Sequence, residues 1–178
     1  MVQQDSSVTG DIHIPVVGNS MVPMLIEGDI VTVSPLDTHK LVCGDIIIRW
    51  NNEFIVHRVV AVNTYHTYTT GDACYWMDPV HDVGNIIGKV RLITRSGQQA
   101  DMDQFQWRLI NRMIGYTGWL QVKFVWKVQV SGNRENGKNW LHGPSYWMSK
   151  RLNSVILFLF EGHWYRYSIQ GKQKYDKY

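Results

Sequence analysis

The chain has 178 residues, 44% of them hydrophobic, which suits one ordinary domain with a real core, or one domain with an appendage, and excludes a largely disordered polymer. A formal net charge of +3 hides an asymmetry: residues 1–88 carry three basic against ten acidic side chains, whereas residues 89–178 carry fifteen basic against five acidic, with six of the eight tryptophans. Cys43 and Cys74 form no CxxC pair, and the seven histidines show no ligand spacing, so neither a disulfide framework nor a metal site is expected, and no cofactor is implied.

In chain order, residues 1–11 read as a flexible polar lead-in without the pattern of a secretory signal. An apolar run from Ile12 to Val17 enters a Gly18-Asn19 turn that carries Ser20. Ile30 to Val33 is rich in β-branched residues and reads as a strand, followed by a loop from Pro35 to Lys40. Asp45 to Trp50 and Glu53 to Val62 read as two strands joined by an Asn51-Asn52 hairpin turn. Tyr65 to Thr70 is a further strand, Gly71 to Gly84 a loop of turn formers, and Asn85 to Thr94 closes the sheet. Many short strands with regular turn signals predict a mostly antiparallel β domain.

Past Ser96-Gly97 the pattern changes. Phe105, Leu109, Met113 and Thr117 recur at helical spacing, which predicts an amphipathic helix over 101–114, interrupted by Gly115 and Gly118. From Trp119 to Val130 the alternation of Val122, Phe124, Trp126, Val128 and Val130 favours a strand, although Trp119, Leu120, Lys123 and Lys127 also fit a basic amphipathic helix. Residues 131–138 read as a polar linker, 139–170 as two or three strands or a helix, and 171–178 as a basic tail. The longest apolar run, Val155 to Phe160, is of strand length and too short to cross a bilayer.

Three segments carry chemistry. Ser20 stands in Gly18-Asn19-Ser20-Met21-Val22-Pro23, where Gly18 permits an unusual backbone angle and Pro23 stiffens the exit. His57 lies inside the alternating run Phe54 to Val60, next to Arg58, and alternation sets the two on opposite faces. Thr70-Gly71-Asp72 opens a loop with Asp78 six positions on. A serine on a turn, a histidine on a strand and a loop aspartate are the three parts of a nucleophilic hydrolase. Imidazole takes a hydroxyl proton near neutral pH, and a carboxylate orients it.

In this order, with Glu27-Gly28-Asp29 and Gly44-Asp45 between them, residues 14–93 resemble the signal peptidase I branch of the LexA/signal peptidase superfamily. Within it they are similar to the archaeal and endoplasmic-reticulum type, in which histidine replaces the lysine base. The resemblance implies coiled antiparallel sheets, with Ser20 as nucleophile, His57 as base, Asp78 as the orienting acid and Asp72 as a supporting residue. It places the oxyanion donor at the Ser20 N–H, in the Gly18–Met21 turn. Related enzymes often add a serine hydroxyl where this chain has Gly18, and they carry small or polar residues where it has Ala73-Cys74-Tyr75-Trp76.

The expected organisation is therefore a mostly β catalytic domain over 12–95 and a basic, tryptophan-rich α+β extension over 96–178 that packs on it or on a membrane surface. The expected function is a serine endopeptidase cleaving an extended precursor, signal or leader peptide after a small residue. Its setting would be cytoplasmic or peripheral on an anionic membrane. An inactive peptide-binding β module with a basic docking half is the alternative from another class, with nucleic acid a disfavoured partner. A LexA-like self-cleaving regulator ranks lower, since nineteen residues before Ser20 leave no room for a helix-turn-helix and the lysine base is missing.

Overall fold

A computed structural model describes residues 10–35, 40–74, 76–131, 152–153 and 155–156. Eight strands, β1 (Ile12–Pro15), β2 (Ile30–Pro35), β3 (Ile46–Trp50), β4 (Phe54–Val62), β5 (His66–Thr70), β6 (His81–Asp82), β7 (Ile86–Arg95) and β8 (Gln98–Asp101), precede one long helix, α1 (Phe105–Ser131). The strands form one sheet in the order β1-β2-β7-β3-β4-β5-β6, with β8 paired to β7, and every pairing is antiparallel. The fold is mostly β with a helical C-terminal appendage, as the turn-punctuated sequence predicts.

The central strands are covered on both faces, which accounts for the unbroken apolar run Ile46-Ile47-Ile48. Ile46 and Ile48 join Val31, Val33, Val90 and Ile93 in the main core, against Trp107, Ile110 and Ile114 of α1. Ile47 points the other way and packs with Leu41 and Val59 in a smaller cluster. Complete burial of Ile110 and Ile114 contributes about 1.5–3 kcal/mol each, so α1 is fixed chiefly by its apolar stripe.

Three local expectations change. Gly115 and Gly118 do not interrupt the helix, and 119–130, where alternation favoured a strand over a basic amphipathic helix, continues it to Ser131. Gly115 is required there: a Cβ on it would sit 2.7 Å from the Gly44 amide nitrogen, and a Cβ on Gly44 would sit 2.6 Å from the Asn111 carbonyl. The close approach of α1 to the turn before β3 thus selects glycine on both sides. Ser96-Gly97 is not a break but a hairpin turn, with both residues at positive φ, and β8 follows it as an added strand. The 71–84 loop contains β6 and the start of a 3-10 turn at Val83–Asn85. Within 139–170, read as strands or a helix, Leu152, Asn153, Val155 and Ile156 are helical.

The β7–β8 hairpin spans positions 95–96, and Ala100, Met102, Trp107 and Ile156 share the core with Met21, Met24 and Leu25, so the described part of the extension completes the same core. Most of the expected lead-in, the linker at 132–138, the remainder of 139–170 and the tail at 171–178 lie outside the described residues. No described helix is long and apolar enough to cross a membrane.

Candidate active site

Three of the four Gly-Asp pairs in the chain do the same structural work, the exposed Gly10-Asp11 being the exception. Asp29, Asp45 and Asp72 are all buried and each holds a basic side chain. Asp29 takes a two-pronged grip from Arg95 of β7, at 2.8 and 2.6 Å, and also accepts the Ile26 amide. Asp45 accepts the Val42 amide and pairs with Lys89 of β7 at 2.7 Å. Asp72 accepts Arg58 Nε and Nη2, both at 2.7 Å. Arg58 Nη1 continues to the Gly44 carbonyl and to Asn111 Oδ1 of α1, at 2.8 and 2.7 Å. Asp72 is therefore spent on joining β4, the turn before β3, α1 and its own loop.

The serine turn is fastened by the backbone. Gly18 adopts φ +86°, and Met21, assigned to the oxyanion turn, buries its side chain in the core. The Ser20 carbonyl accepts the Ala73 amide at 2.7 Å. A Cβ on Gly71 would lie 2.5 Å from that same carbonyl. The Gly71-Asp72 signature thus has two separate reasons: glycine lets the serine turn lie flat on the loop, and aspartate clamps the loop to Arg58.

On the other face of β4, His57 meets Asp78. His57 Nδ1 is 2.6 Å from Asp78 Oδ2, and the pair is buried. Two bonds to Thr69 of β5 place the carboxylate. The Asp78 amide donates to the Thr69 carbonyl of β5, and Thr69 Oγ1 donates to the same Oδ2 at 2.6 Å. Burial pushes the Asp78 carboxyl up, but the hydrogen bonds from His57 and Thr69 and the charges of His57 and Arg49 outweigh it, leaving it below its ordinary value. An ionised Asp78 can only accept, so His57 Nδ1 carries the proton and a neutral ring presents its lone pair at Nε2.

Residue selection by pattern missed Arg49. It sits on β3 on the face that carries His57, since Ile47 is the cross-strand neighbour of His57 and Arg49 is two positions on. Its Nη2 lies 3.4 Å from Asp78 Oδ2, while Nε and Nη1, both buried, have no hydrogen-bond partner among the described residues. In sequence it closes the apolar run Ile46-Ile47-Ile48, and nothing there distinguishes it.

The structure thus brings Ser20 against the Gly71–Ala73 loop, joins His57 to Asp78, and gives Asp72 to Arg58. It does not join Ser20 Oγ to His57 by a hydrogen bond. Cys43 and Cys74 form no disulfide. Burial, with the Asp78 charge second, pushes the Cys74 thiol up, so it stays protonated beside the site. Comparison with protein-family models, curated proteins and solved structures returned no match.

Proposed function

We propose that this chain is a serine endopeptidase of the signal peptidase type, with Ser20 as nucleophile, His57 as general base and Asp78 as the acid that orients it. The observation that carries this reading is the 2.6 Å contact between His57 Nδ1 and Asp78, on an aspartate held below its ordinary pKa. The substrate is an extended precursor or leader peptide with a small residue before the scissile bond.

In the reaction His57 Nε2 accepts the Ser20 proton as Oγ attacks the carbonyl carbon. Asp78 stabilises the imidazolium that results, and the same proton passes to the leaving amine. The Ser20 N–H faces the developing oxyanion. Catalytic hydrogen bonds are often long without substrate and tighten when it binds, so this reading requires peptide binding to bring Ser20 Oγ to His57 Nε2. Asp72 acts in architecture, through Arg58, and not on the histidine.

A fluorophosphonate probe tests the reading, because it labels an activated serine. Peptide mapping should find the label on Ser20, and Ser20→Ala and His57→Ala should each abolish it. Labelling that survives in His57→Ala would refute the base. Complete absence of labelling, with and without leader peptide, would favour the inactive peptide-binding module, to which the missing Ser20–His57 bond also points.

A further inference from the structure

The helix α1 spans 27 residues without a single carboxylate. One side, with Trp107, Ile110, Asn111 and Ile114, is buried in the core. The opposite side is exposed, yet it is not the polar face that a helix packed on a sheet ordinarily turns to water. Phe105 is 77% exposed, Tyr116 57%, Leu120 46% and Leu109 39%, and they share this side with Arg108, Arg112 and Lys123 at helical spacing. Tyr116 stacks on Trp119 with ring centroids 5.6 Å apart, and Lys123 Nζ lies 4.1 Å from the Trp119 centroid. Rings and cations therefore form one continuous strip.

The arginines also border a cavity of about 250 Å³ between α1 and the sheet. Its other charged groups are Lys89, Asp45 and Asp103, and Lys89 is already taken, 2.7 Å from Asp45 and 3.8 Å from Asp103. Among the described residues neither Arg108 nor Arg112 has an ion-pair partner. Two guanidiniums that form no ion pair among the described residues, beside a cavity whose two carboxylates face Lys89, suit a phosphodiester oxygen.

We propose that this face of α1 is a docking surface for the anionic phospholipid headgroups of a membrane. The cations meet lipid phosphate, the aromatic rings sit at headgroup level, and Phe105, Leu109 and Leu120 enter the acyl boundary. Nucleic acid would use the cations but leave exposed leucines in water, and the Tyr116 and Trp119 rings already stack on each other rather than standing open for a base. The proposal is independent of the peptidase reading.

The test is co-sedimentation of the full chain with vesicles of equal parts phosphatidylglycerol and phosphatidylcholine, and with phosphatidylcholine alone. Binding should be confined to the anionic vesicles and should fall as salt rises, because surface charges are screened over about 8 Å at physiological ionic strength. Arg108→Gln/Arg112→Gln should weaken it about 25-fold, roughly fivefold per cation. Phe105→Ser/Leu120→Ser should weaken it at every salt concentration, whereas Arg91→Gln, an exposed cation of β7, should change it little. Circular dichroism checks that these surface variants keep the fold. Equal binding to both vesicle types, no binding at any salt, or unchanged binding by both double variants would overturn the proposal. So would a labelled single-stranded oligonucleotide that binds through Arg108 and Arg112 while vesicles do not.

Discussion

His57 and Arg58 are neighbours in one strand, and each is paired with an aspartate from one loop, yet the two pairs differ in almost every physical respect. Arg58 and Asp72 are sealed: the arginine is 1% exposed and uses all three of its guanidinium nitrogens on Asp72, Gly44 and Asn111. His57 and Asp78 use one ring nitrogen between them, and among the described residues Nε2 has no hydrogen-bond partner. Alternation along β4 separates them, so the strand carries architecture on the face toward α1 and the candidate His57–Asp78 pair on the other. The lesson is that a charged pair at a candidate site is judged by what it leaves unsatisfied: the first pair has nothing left to offer a substrate, and the second has a lone pair.

The largest effect should come from breaking the sealed pair. Arg58→Met leaves Asp72 charged and buried without its partner, and should lower stability by about 3–5 kcal/mol in urea unfolding. A loss under 1 kcal/mol would show that Asp72 finds other partners and that the contrast between the faces is overdrawn. Next in size is Gly71→Ala. Its Cβ would displace the Ser20 carbonyl, and misplacing the serine by about 1 Å should slow fluorophosphonate labelling about 100-fold. Labelling at the wild-type rate would mean that the turn is not set by this contact.

A smaller effect separates Arg49 from the histidine. Asp78 has a folded pKa below its ordinary value, so its contribution to stability is present above that ordinary value and is lost as pH falls through the lower folded one. Arg49→Met removes one cause of the depression and should shift acid unfolding, followed by circular dichroism, to higher pH. An unchanged acid limb would assign the depression to His57 and Thr69 alone. The smallest expected effect concerns Cys74. Because its thiol is raised, iodoacetamide should modify it more slowly at neutral pH than a free cysteine, and Asp78→Asn should speed the reaction. Faster modification in the wild type would contradict the assigned charge environment.

The sequence carried the sheet because β-branched runs such as Ile30 to Val33 and Ile46 to Ile48 are bounded by turn formers. It also carried the opposed faces of His57 and Arg58, since strand alternation leaves no other arrangement. The start of the helix was legible in the spacing of Phe105, Leu109 and Met113, but its continuation past Gly115 was hidden for a physical reason. Val122 to Val130 alternate as a strand would, and two glycines precede them, yet contacts of α1 with Gly44 and with the core override both signals. β6 was hidden because two residues carry no period at all. Arg49 was hidden because its role lies in a through-space approach to Asp78 from another strand, which no local spacing encodes.

The most direct test of the division between the two faces compares the aspartates in one experiment: the fluorophosphonate labelling rate of Ser20 per folded molecule in Asp78→Asn and Asp72→Asn, with each folded fraction taken from urea unfolding. Asp78→Asn should label about 10³-fold more slowly or worse, because the histidine loses its orienting acceptor. Asp72→Asn, which still accepts one bond from Arg58, should lose stability and keep the labelling rate. Slower labelling in Asp72→Asn than in Asp78→Asn would contradict the account.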